Sequence, residues 1–435
     1  MADLTSNLAG IVSPNPFWLG SGPPTNTYAQ VARSFDQGWG GAVWKTVGTP
    51  IVNVYSRYGA VDLGTMKIMG LNNIELITDR PIEDNLKEIA LVKKRYPKQS
   101  VIVSLMVESK RETWHDIVKR SEDTGADGLE LNFGCPHGMS ERGMGAAVGQ
   151  VPEYCAQIVE WVKEVARTPV IVKLTPNVGD ITYPARAAKK GGGDAVSLIN
   201  TINSIMGVDL DTFFPKPSVA GKGSHGGYCG PAVKPIALNM VSQIAAHPET
   251  SDLPISGIGG ISTWQDAAEF IALGCANVQV CTAVMHYGFR LIEDLTDGLS
   301  NWMDERGYKT IEDFRGRAAS RVVKWEELDL NYHTIASIDQ DKCIGCDLCF
   351  VACEDGAHQA MRPVVKPVNG ATKRTVEVIE EACVGCNLCS LVCPVQGCIT
   401  MQQIPNDAPP VSWGEYSAGK GEIAPRPEHY HPVED

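Results

Sequence analysis

One short segment of the chain carries an amide, a thiol and an imidazole. The apolar run at 128–132 ends on Asn132, and Cys135, Pro136 and His137 follow it. A loop rich in Gly and Met continues to residue 150. A thiol at the end of a rigid strand, beside a flexible loop, is typical of an active site under a lid. A free cysteine is also often an ordinary core residue, so other features must distinguish the two interpretations.

The cysteines provide the most specific spacing in the sequence. Nine of the 14 lie between residues 343 and 398, where the pattern C-x₂-C-x₂-C-x₃-C occurs twice. Two such runs are typical of a two-[4Fe–4S] ferredoxin module, in which the fourth cysteine of each run ligates the other cluster. Zinc instead favours two separated C-x₂-C pairs. The predicted ligand sets are Cys343, Cys346, Cys349 and Cys393 for one cluster, and Cys383, Cys386, Cys389 and Cys353 for the other. Cys398 is left over as a packed thiol.

The first 325 residues alternate short apolar runs with amphipathic segments. The runs predict strands at 16–21, 41–45, 101–106, 128–132, 169–174, 195–200, 254–258 and 277–281. The segments between them predict helices at 25–37, 83–96, 111–124, 152–167, 183–191, 233–246, 263–273 and 284–305. Eight strands alternating with helices favour an α/β fold, a closed (β/α)₈ TIM barrel rather than an open sheet. We predict this barrel over residues 1–325, with extra hairpin structure between 46 and 78, and a ferredoxin-like α+β module with a C-terminal tail over 326–435.

Polar residues are expected at the carboxyl ends of the barrel strands, where such barrels carry their chemistry. Lys or Asn ends four of the eight predicted strands, at Lys45, Asn132, Lys173 and Asn200. A single strand can end on a polar residue because it reaches solvent, but four such ends favour a functional site.

Glycines follow the seventh predicted strand, at Gly259 and Gly260, and Cys281 and Thr282 follow the eighth. Loops at these positions commonly bind a phosphate through backbone N–H groups, which glycine allows to approach closely. No G-x-G-x-x-G follows an early strand and opens a helix, so the dinucleotide fingerprint is missing. The sequence therefore predicts a mononucleotide such as FMN.

The overall composition is that of a soluble globular protein, with 43% hydrophobic and 20% charged residues. The net charge of −13 argues against nucleic acid as a partner, because phosphate contacts need clustered Lys and Arg. The first residues have no signal-peptide pattern, and no apolar segment approaches membrane-spanning length. We expect a cytoplasmic protein without a membrane partner.

The barrel resembles class 1 dihydroorotate dehydrogenases in Met69-Gly-Leu-x-Asn73, Asn132-x-x-Cys-Pro136, Lys173 and Gly259-Gly260. The whole chain resembles the pyrimidine-reducing half of dihydropyrimidine dehydrogenases more extensively. That resemblance covers residues 132–145 and 173–177, Gly226, Gly227, Gly230, residues 279–282 and the two cysteine runs. Because the chain lacks the NADPH-oxidising half, it looks like the FMN/iron–sulfur subunit of bacterial, NAD-dependent members.

The resemblance implies reversible reduction of uracil and thymine to their 5,6-dihydro forms in pyrimidine catabolism. FMN would give a hydride to C6, and Cys135 would protonate C5. A thiol with a pKa near ~8.5 is mostly protonated at pH 7 and can act as a general acid. The loop Gly138–Gly149 would be a lid that brings Cys135 over C5.

The resemblance also implies two sets of contacts. Carboxamides suit a pyrimidine edge because they offer both a donor and an acceptor, and lysines would stabilise the anionic reduced flavin. The substrate contacts would be Asn73, Asn132, Phe133, Gly134, Asn200 and Thr201. The FMN contacts would be Gly20, Ser21, Lys45, Thr46, Lys173, Gly230, Gly259, Gly260, Cys281 and Thr282.

The pattern departs from its relatives at two positions. His137 stands where class 1 dihydroorotate enzymes have Asn, and Gly134 stands where a serine is usual. Since no Arg ends a strand to receive the carboxylate of dihydroorotate, an uncharged pyrimidine is favoured.

Electrons would reach FMN through the two clusters from a partner flavoprotein subunit that oxidises NADH and holds FAD. A homodimer within a heterotetramer would be the assembly. Two alternatives stay open: a dihydroorotate dehydrogenase-like enzyme of pyrimidine synthesis, and an electron-transfer flavoprotein without a pyrimidine substrate.

Overall fold

The computed structural model describes residues 2–49, 51–60, 69–135, 143–368 and 371–424. The chain forms two compact units, Met1–Val322 and Val323–Asp435. The domain boundary expected between residues 325 and 326 stays a prediction. Within the described ranges, none of the helices has the length and apolar character needed to cross a bilayer.

The first unit contains a closed barrel of eight parallel strands, so the predicted TIM-barrel fold is confirmed. Its strands are β3 (Phe17–Leu19), β4 (Gly41–Val47), β7 (Ser100–Leu105), β8 (Gly128–Asn132), β9 (Val170–Lys173), β10 (Ala195–Leu198), β13 (Ile255–Ile258) and β14 (Asn277–Val280). Numbering counts all strands in chain order, including β1 (Ser6–Leu8) and β2 (Ile11–Ser13), which pair with each other. Neighbours follow the order β10-β13-β14-β3-β4-β7-β8-β9 around the barrel.

Helices pack their apolar faces against the outside of the barrel, where the main hydrophobic core lies. They are α1 (Tyr28–Gln37), α2 (Ile82–Arg95), α3 (Arg111–Glu122), α4 (Ala146–Gly149), α5 (Pro152–Lys163), α6 (Thr182–Lys190), α7 (Lys234–Ala246), α8 (Trp264–Ala272), α9 (Thr282–Tyr287) and α10 (Leu291–Arg306). The single helix predicted at 284–305 is wrong. The chain breaks there at Gly288, whose φ of 82° is left-handed and incompatible with a continuous helix.

A small antiparallel sheet is built from insertions that follow barrel strands. Its strands are β5 (Tyr58–Ala60), β6 (Leu71–Asn73), β11 (Ile202–Ser204) and β12 (Gly226–Cys229), in the order β11-β12-β6-β5. The hairpin structure expected between 46 and 78 corresponds to the antiparallel pair β5 and β6.

The second unit combines antiparallel pairs with short helices. Its elements are β15 (His333–Ile338), α11 (Leu348–Glu354), β16 (Met361–Val368), β17 (Ala371–Val378), α12 (Leu388–Val392), β18 (Ile399–Ile404) and α13 (Trp413–Ser417). β15 pairs with β18, and β16 pairs with β17. The described part of the tail packs on this unit, since the Asn331 amide nitrogen donates to the carbonyls of Pro409 (2.7 Å) and Glu422 (3.1 Å).

Candidate active site

An open cleft with about 1110 Å³ of empty space lies at the carboxyl ends of the barrel strands. Fourteen predicted site residues line it: Ser21, Lys45, Thr46, Asn73, Asn132, Cys135, Lys173, Asn200, Thr201, Gly230, Gly259, Gly260, Cys281 and Thr282. The fold therefore brings together residues from all parts of the first 300 positions.

Strand ends explain this convergence, with two corrections. Lys173 ends β9 and Asn132 ends β8, as expected. Lys45, predicted to end its strand, lies inside β4, which continues to Val47 through an irregular register. Asn200, also predicted to end its strand, lies two residues beyond the end of β10.

Three predicted contacts do not line the cleft. Phe133 is buried, and its ring packs edge-on against Trp114 with centroids 6.3 Å apart, so its side chain belongs to the core outside the barrel. Gly134 lies against Asn200, because a Cβ at Gly134 would be 2.5 Å from the Asn200 Cβ. Gly20 hydrogen-bonds through its N–H to the Val280 carbonyl beside the cleft.

A chain of amides and hydroxyls crosses the cleft floor. Asn200 Nδ2 donates to Asn132 Oδ1 at 3.0 Å, and Asn132 Nδ2 donates to Thr46 Oγ1 at 2.9 Å. The Gly134 N–H also donates to Asn132 Oδ1 at 3.2 Å, and the Thr201 N–H donates to Asn200 Oδ1 at 2.8 Å. These bonds fix the orientation of both carboxamides and leave each with one further N–H to offer.

Both lysines of the cleft pair with carboxylates that sequence reasoning missed. Lys45 bonds Glu75, whose carboxylate also accepts a bond from Arg57 at 3.1 Å. Lys173 Nζ lies 3.7 Å from Oε1 of Glu130, which is fully buried. A charged residue between two leucines in the strand Gly128–Asn132 was the available signal for Glu130, because alternate strand residues face the barrel interior.

Burial and these charges control the neighbouring titratable groups. Burial raises the pKa of the Cys281 thiol to about 12, so this cleft thiol stays neutral near pH 7. Burial, helped by a hydrogen bond to Glu75, raises the pKa of the Tyr58 phenol. Burial likewise raises the pKa of the Cys229 thiol, a cleft residue that the sequence did not identify.

Three glycines form a cradle at one end of the cleft. Gly230, Gly259 and Gly260 have φ values of 94°, 128° and 76°, which favour glycine. A Cβ on Gly260 would lie 2.9 Å from the Gly230 carbonyl oxygen. A backbone that carries no Cβ atoms fits the phosphate of FMN, which needs N–H groups that side chains do not cover.

Cys135 lies at the edge of the cleft and is partly exposed. Its carbonyl accepts a bond from the Ala146 N–H at 3.1 Å, so the end of the predicted lid is tied to the thiol-bearing residue. Met144 is buried and packs in a small cluster with Cys135. Pro136, His137 and the lid positions up to 142 lie outside the described residues.

Two smaller cavities in the second unit are lined by the cysteine runs. Cys353, Cys383, Cys386 and Cys389 line one cavity. Cys343, Cys346, Cys349 and Cys393 line the other, together with the buried Cys398. Each cavity brings together four thiols, the number that a [4Fe–4S] cluster needs, with Cys346 and Cys386 exposed at the surface. The grouping is the crossed one that the spacing predicts, and the ligand sets stay a prediction.

The two cysteine loops share one backbone design. Gly345 and Gly385 have φ values of 70° and 68°, and Asp347 and Asn387 have 60° and 67°. A Cβ on Gly385 would lie 2.4 Å from the Thr334 carbonyl oxygen. Because Asp and Asn tolerate this left-handed region better than other side chains, the repeated C-x-G-C-[DN]-L-C pattern has a steric cause.

Comparison with known proteins agrees with this architecture. The family model "Dihydroorotate dehydrogenase" matches residues 3–303, and "4Fe-4S dicluster domain" matches residues 336–401. The NAD-dependent dihydropyrimidine dehydrogenase subunit PreA of Escherichia coli K12 is 42% identical over 82% of this chain and 87% of its own length.

Two further relatives are also dehydrogenases that act on pyrimidines or dihydroorotate, by their names. The chloroplastic dihydropyrimidine dehydrogenase (NADP(+)) of Arabidopsis thaliana is 44% identical over 73% of this chain and 77% of its own length. The catalytic subunit of dihydroorotate dehydrogenase B (NAD(+)) of Pyrococcus abyssi is 38% identical over 72% of this chain and 99% of its own length. The predicted resemblance is confirmed, and with it FMN as the barrel cofactor and [4Fe–4S] clusters in the second unit. The chain is thus an oxidoreductase that belongs to the dihydroorotate dehydrogenase family and, within it, to the iron–sulfur-containing dihydropyrimidine dehydrogenases.

Proposed function

We propose that this chain reduces the C5–C6 double bond of uracil and thymine, reversibly, with Cys135 as the proton donor to C5. The observation that carries the proposal is the meeting of Cys135 with Asn132 and Asn200 in one cleft with two lysines. This set matches a small, planar, uncharged substrate with carbonyl oxygens and imide N–H groups.

Substrate recognition follows from the amide network. Both acceptor positions of Asn132 Oδ1 are used, by Asn200 and by the Gly134 N–H. Its remaining N–H, and that of Asn200, would donate to a carbonyl oxygen of the pyrimidine. Asn73, whose Nδ2 lies 3.2 Å from the Gly227 carbonyl, and Thr201 would complete the contacts from the other side of the cleft.

The chain's own residues divide the work of the reaction. FMN, when bound, supplies the hydride for C6. Cys135 holds the proton for C5, and Lys45 and Lys173 stabilise negative charge on the cofactor. Gly230, Gly259 and Gly260 would hold its phosphate, with Ser21, Thr46, Cys281, Thr282 and the backbone of Gly20 around the rest.

The electron supply requires a second protein. The relatives PreA and dihydroorotate dehydrogenase B carry the word "subunit" in their names. We propose an NADH-oxidising flavoprotein partner with FAD, two copies of each chain, and electron entry through clusters held by the two cysteine sets. A cytoplasmic location stays a prediction.

Oxidation of dihydroorotate is the second candidate, because the dihydroorotate dehydrogenase family matches the barrel. That substrate carries a carboxylate. Among the described residues that line the cleft there is no arginine, and both lysines are already assigned to the cofactor. The site therefore favours an uncharged pyrimidine.

A substrate comparison with the purified, cluster-loaded chain tests the proposal. Under anaerobic conditions, an artificial acceptor should support oxidation of dihydrouracil but not of dihydroorotate. Uracil should also perturb the visible flavin band on titration. Turnover of dihydroorotate alone would establish the second candidate, and a flavin band insensitive to both pyrimidines would indicate an electron-transfer protein.

A further inference from the structure

A layer of buried polar side chains lies inside the barrel, directly below the cleft. It consists of Glu130, Ser197, Ser256 and Gln279. Beneath it, a second buried cluster that includes Trp18, Val43, Ile102 and Ile171 forms an apolar floor. Glu130 belongs to this polar layer and is fully buried. It does not line the cleft, and it has no role in the reaction proposed above.

One oxygen of Glu130 organises its polar neighbours. Oε2 accepts a bond from Ser197 Oγ at 2.8 Å and from Gln279 Nε2 at 3.2 Å. Gln279 Nε2 also donates to Ser256 Oγ at 3.1 Å. Both amide hydrogens of Gln279 are thereby directed into the layer.

The opposite end of the same carboxamide is left open. Within the part of the chain that the structure describes, Gln279 Oε1 is buried and has no hydrogen-bond partner. Gln279 lines the cleft, and a Cβ on Gly20 would lie 3.6 Å from this oxygen. A buried carbonyl without a donor is unfavourable, so a ligand N–H in the cleft would satisfy it.

The other oxygen of Glu130 faces the lysine of β9. Oε1 lies 3.7 Å from Lys173 Nζ, and both side chains are at least nine-tenths buried. Charges at this depth are weakly screened, so a carboxylate here reduces the positive field that Lys173 exerts on the cleft.

We propose that Glu130 is a positioning residue of the flavin site, which holds Lys173 and Gln279 in place and lowers the reduction potential of the bound cofactor. The inference rests on the proposed roles of the cleft residues. Lys173 favours the anionic reduced flavin, and Glu130 opposes this effect. Gln279 then presents its carbonyl oxygen to an N–H of the isoalloxazine ring.

Glu130→Gln tests the proposal, because it removes the charge and keeps the shape. The potential of the bound FMN should become more positive, as Lys173 acts without compensation. We expect relative affinity for reduced over oxidised flavin to rise roughly tenfold, which is about 30 mV for a two-electron couple. The measurement is an anaerobic potentiometric titration of the whole, cluster-loaded protein, with the flavin band followed optically and the clusters by EPR.

Glu122→Gln is the matched control. Glu122 is also a buried glutamate of the same barrel unit, but it pairs with Arg167 and does not line the cleft. It should leave the flavin potential unchanged. In a Lys173→Gln background, Glu130→Gln should shift the potential by less than it does alone.

The outcomes distinguish a wrong role for Glu130 from a wrong assignment of the flavin site. FMN bound at the wild-type potential in Glu130→Gln would overturn the role of Glu130 and leave the flavin site intact. A wild-type chain that binds no FMN would overturn the site itself. If Glu130→Gln does not fold, Glu130→Asp decides: a smaller positive shift supports the proposal, and lost stability at an unchanged potential refutes it.

Discussion

Asn200 donates a hydrogen bond to Asn132 across 3.0 Å, and this bond joins the end of β8 to the loop after β10, a strand that is not its neighbour in the barrel. It occupies the carboxamide oxygen of Asn132 and turns the amide nitrogen toward Thr46. The cleft therefore presents N–H donors rather than carbonyl acceptors from this residue.

Replacing Asn132 by Asp should weaken substrate recognition, because a carboxylate of the same shape has no N–H to donate. The value of kcat/KM for uracil should fall roughly tenfold to a hundredfold, the range expected when a buried group loses its partner. Asn85→Asp is the control: Asn85 is also buried but bonds Trp44 and Pro81 instead. An equal loss of kcat/KM in both variants would contradict the assignment.

Replacing Cys135 by Ala should reduce turnover by roughly 10²- to 10⁴-fold, because the general acid is removed. FMN content, measured from the flavin released on denaturation, should stay at the wild-type ratio. Cys155→Ala should keep full turnover, since Cys155 is a buried residue of α5. Unchanged turnover in Cys135→Ala would exclude the thiol as proton donor.

Replacing Gly143 by Pro tests the lid. Gly143 has φ of 63°, which proline cannot adopt, and its carbonyl accepts a bond from Ser109. Stopped-flow measurement should show slower turnover with FMN still bound. Gly307→Pro is the control, because Gly307 also has positive φ (76°) but caps α10. Loss of flavin from Gly143→Pro would count against a lid.

Pairwise cysteine replacement tests the crossed ligand sets. Cys346→Ala should remove one cluster, so about half of the iron and acid-labile sulfide remains. Adding Cys393→Ala should cause no further loss, because both residues belong to the same set. Adding Cys353→Ala instead should remove the second cluster as well. The reverse pattern in iron content would show that each run holds its own cluster.

Glu122 should contribute stability that depends on pH. Burial opposes its ionisation, but bonds from Arg167 and Thr168 outweigh burial and hold the pKa of this carboxyl below its ordinary value. A lowered pKa in the folded state adds stability above pH ~4.5 that is lost as the pH falls through the folded pKa. Glu122→Gln should lower the free energy of unfolding by about 1–3 kcal/mol at pH 7. Urea titrations followed by circular dichroism should show this difference shrinking in acid.

The sequence alone determined the features that are local in the chain. Cysteine spacing predicted a dicluster module because ligands within a few residues leave the backbone little choice. Alternating strands and helices predicted the barrel, and most strand positions lie within two residues of the observed ones. The resemblance rests on short motifs, and it predicted one active site that contains Asn73, Asn132, Cys135 and Lys173.

Only the tertiary structure decided which charged side chains form ion pairs. The partners in Lys45–Glu75 and Lys173–Glu130 are 30 and 43 residues apart in the sequence, so no local pattern contains them. Phe133 follows directly after β8, and its ring turned to the core because successive residues of an extended strand face opposite sides and Asn132 took the inner position. Residues near in sequence are thus divided between core and cleft by the pleat of the strand, while the charge balance of the cleft depends on the closure of the barrel.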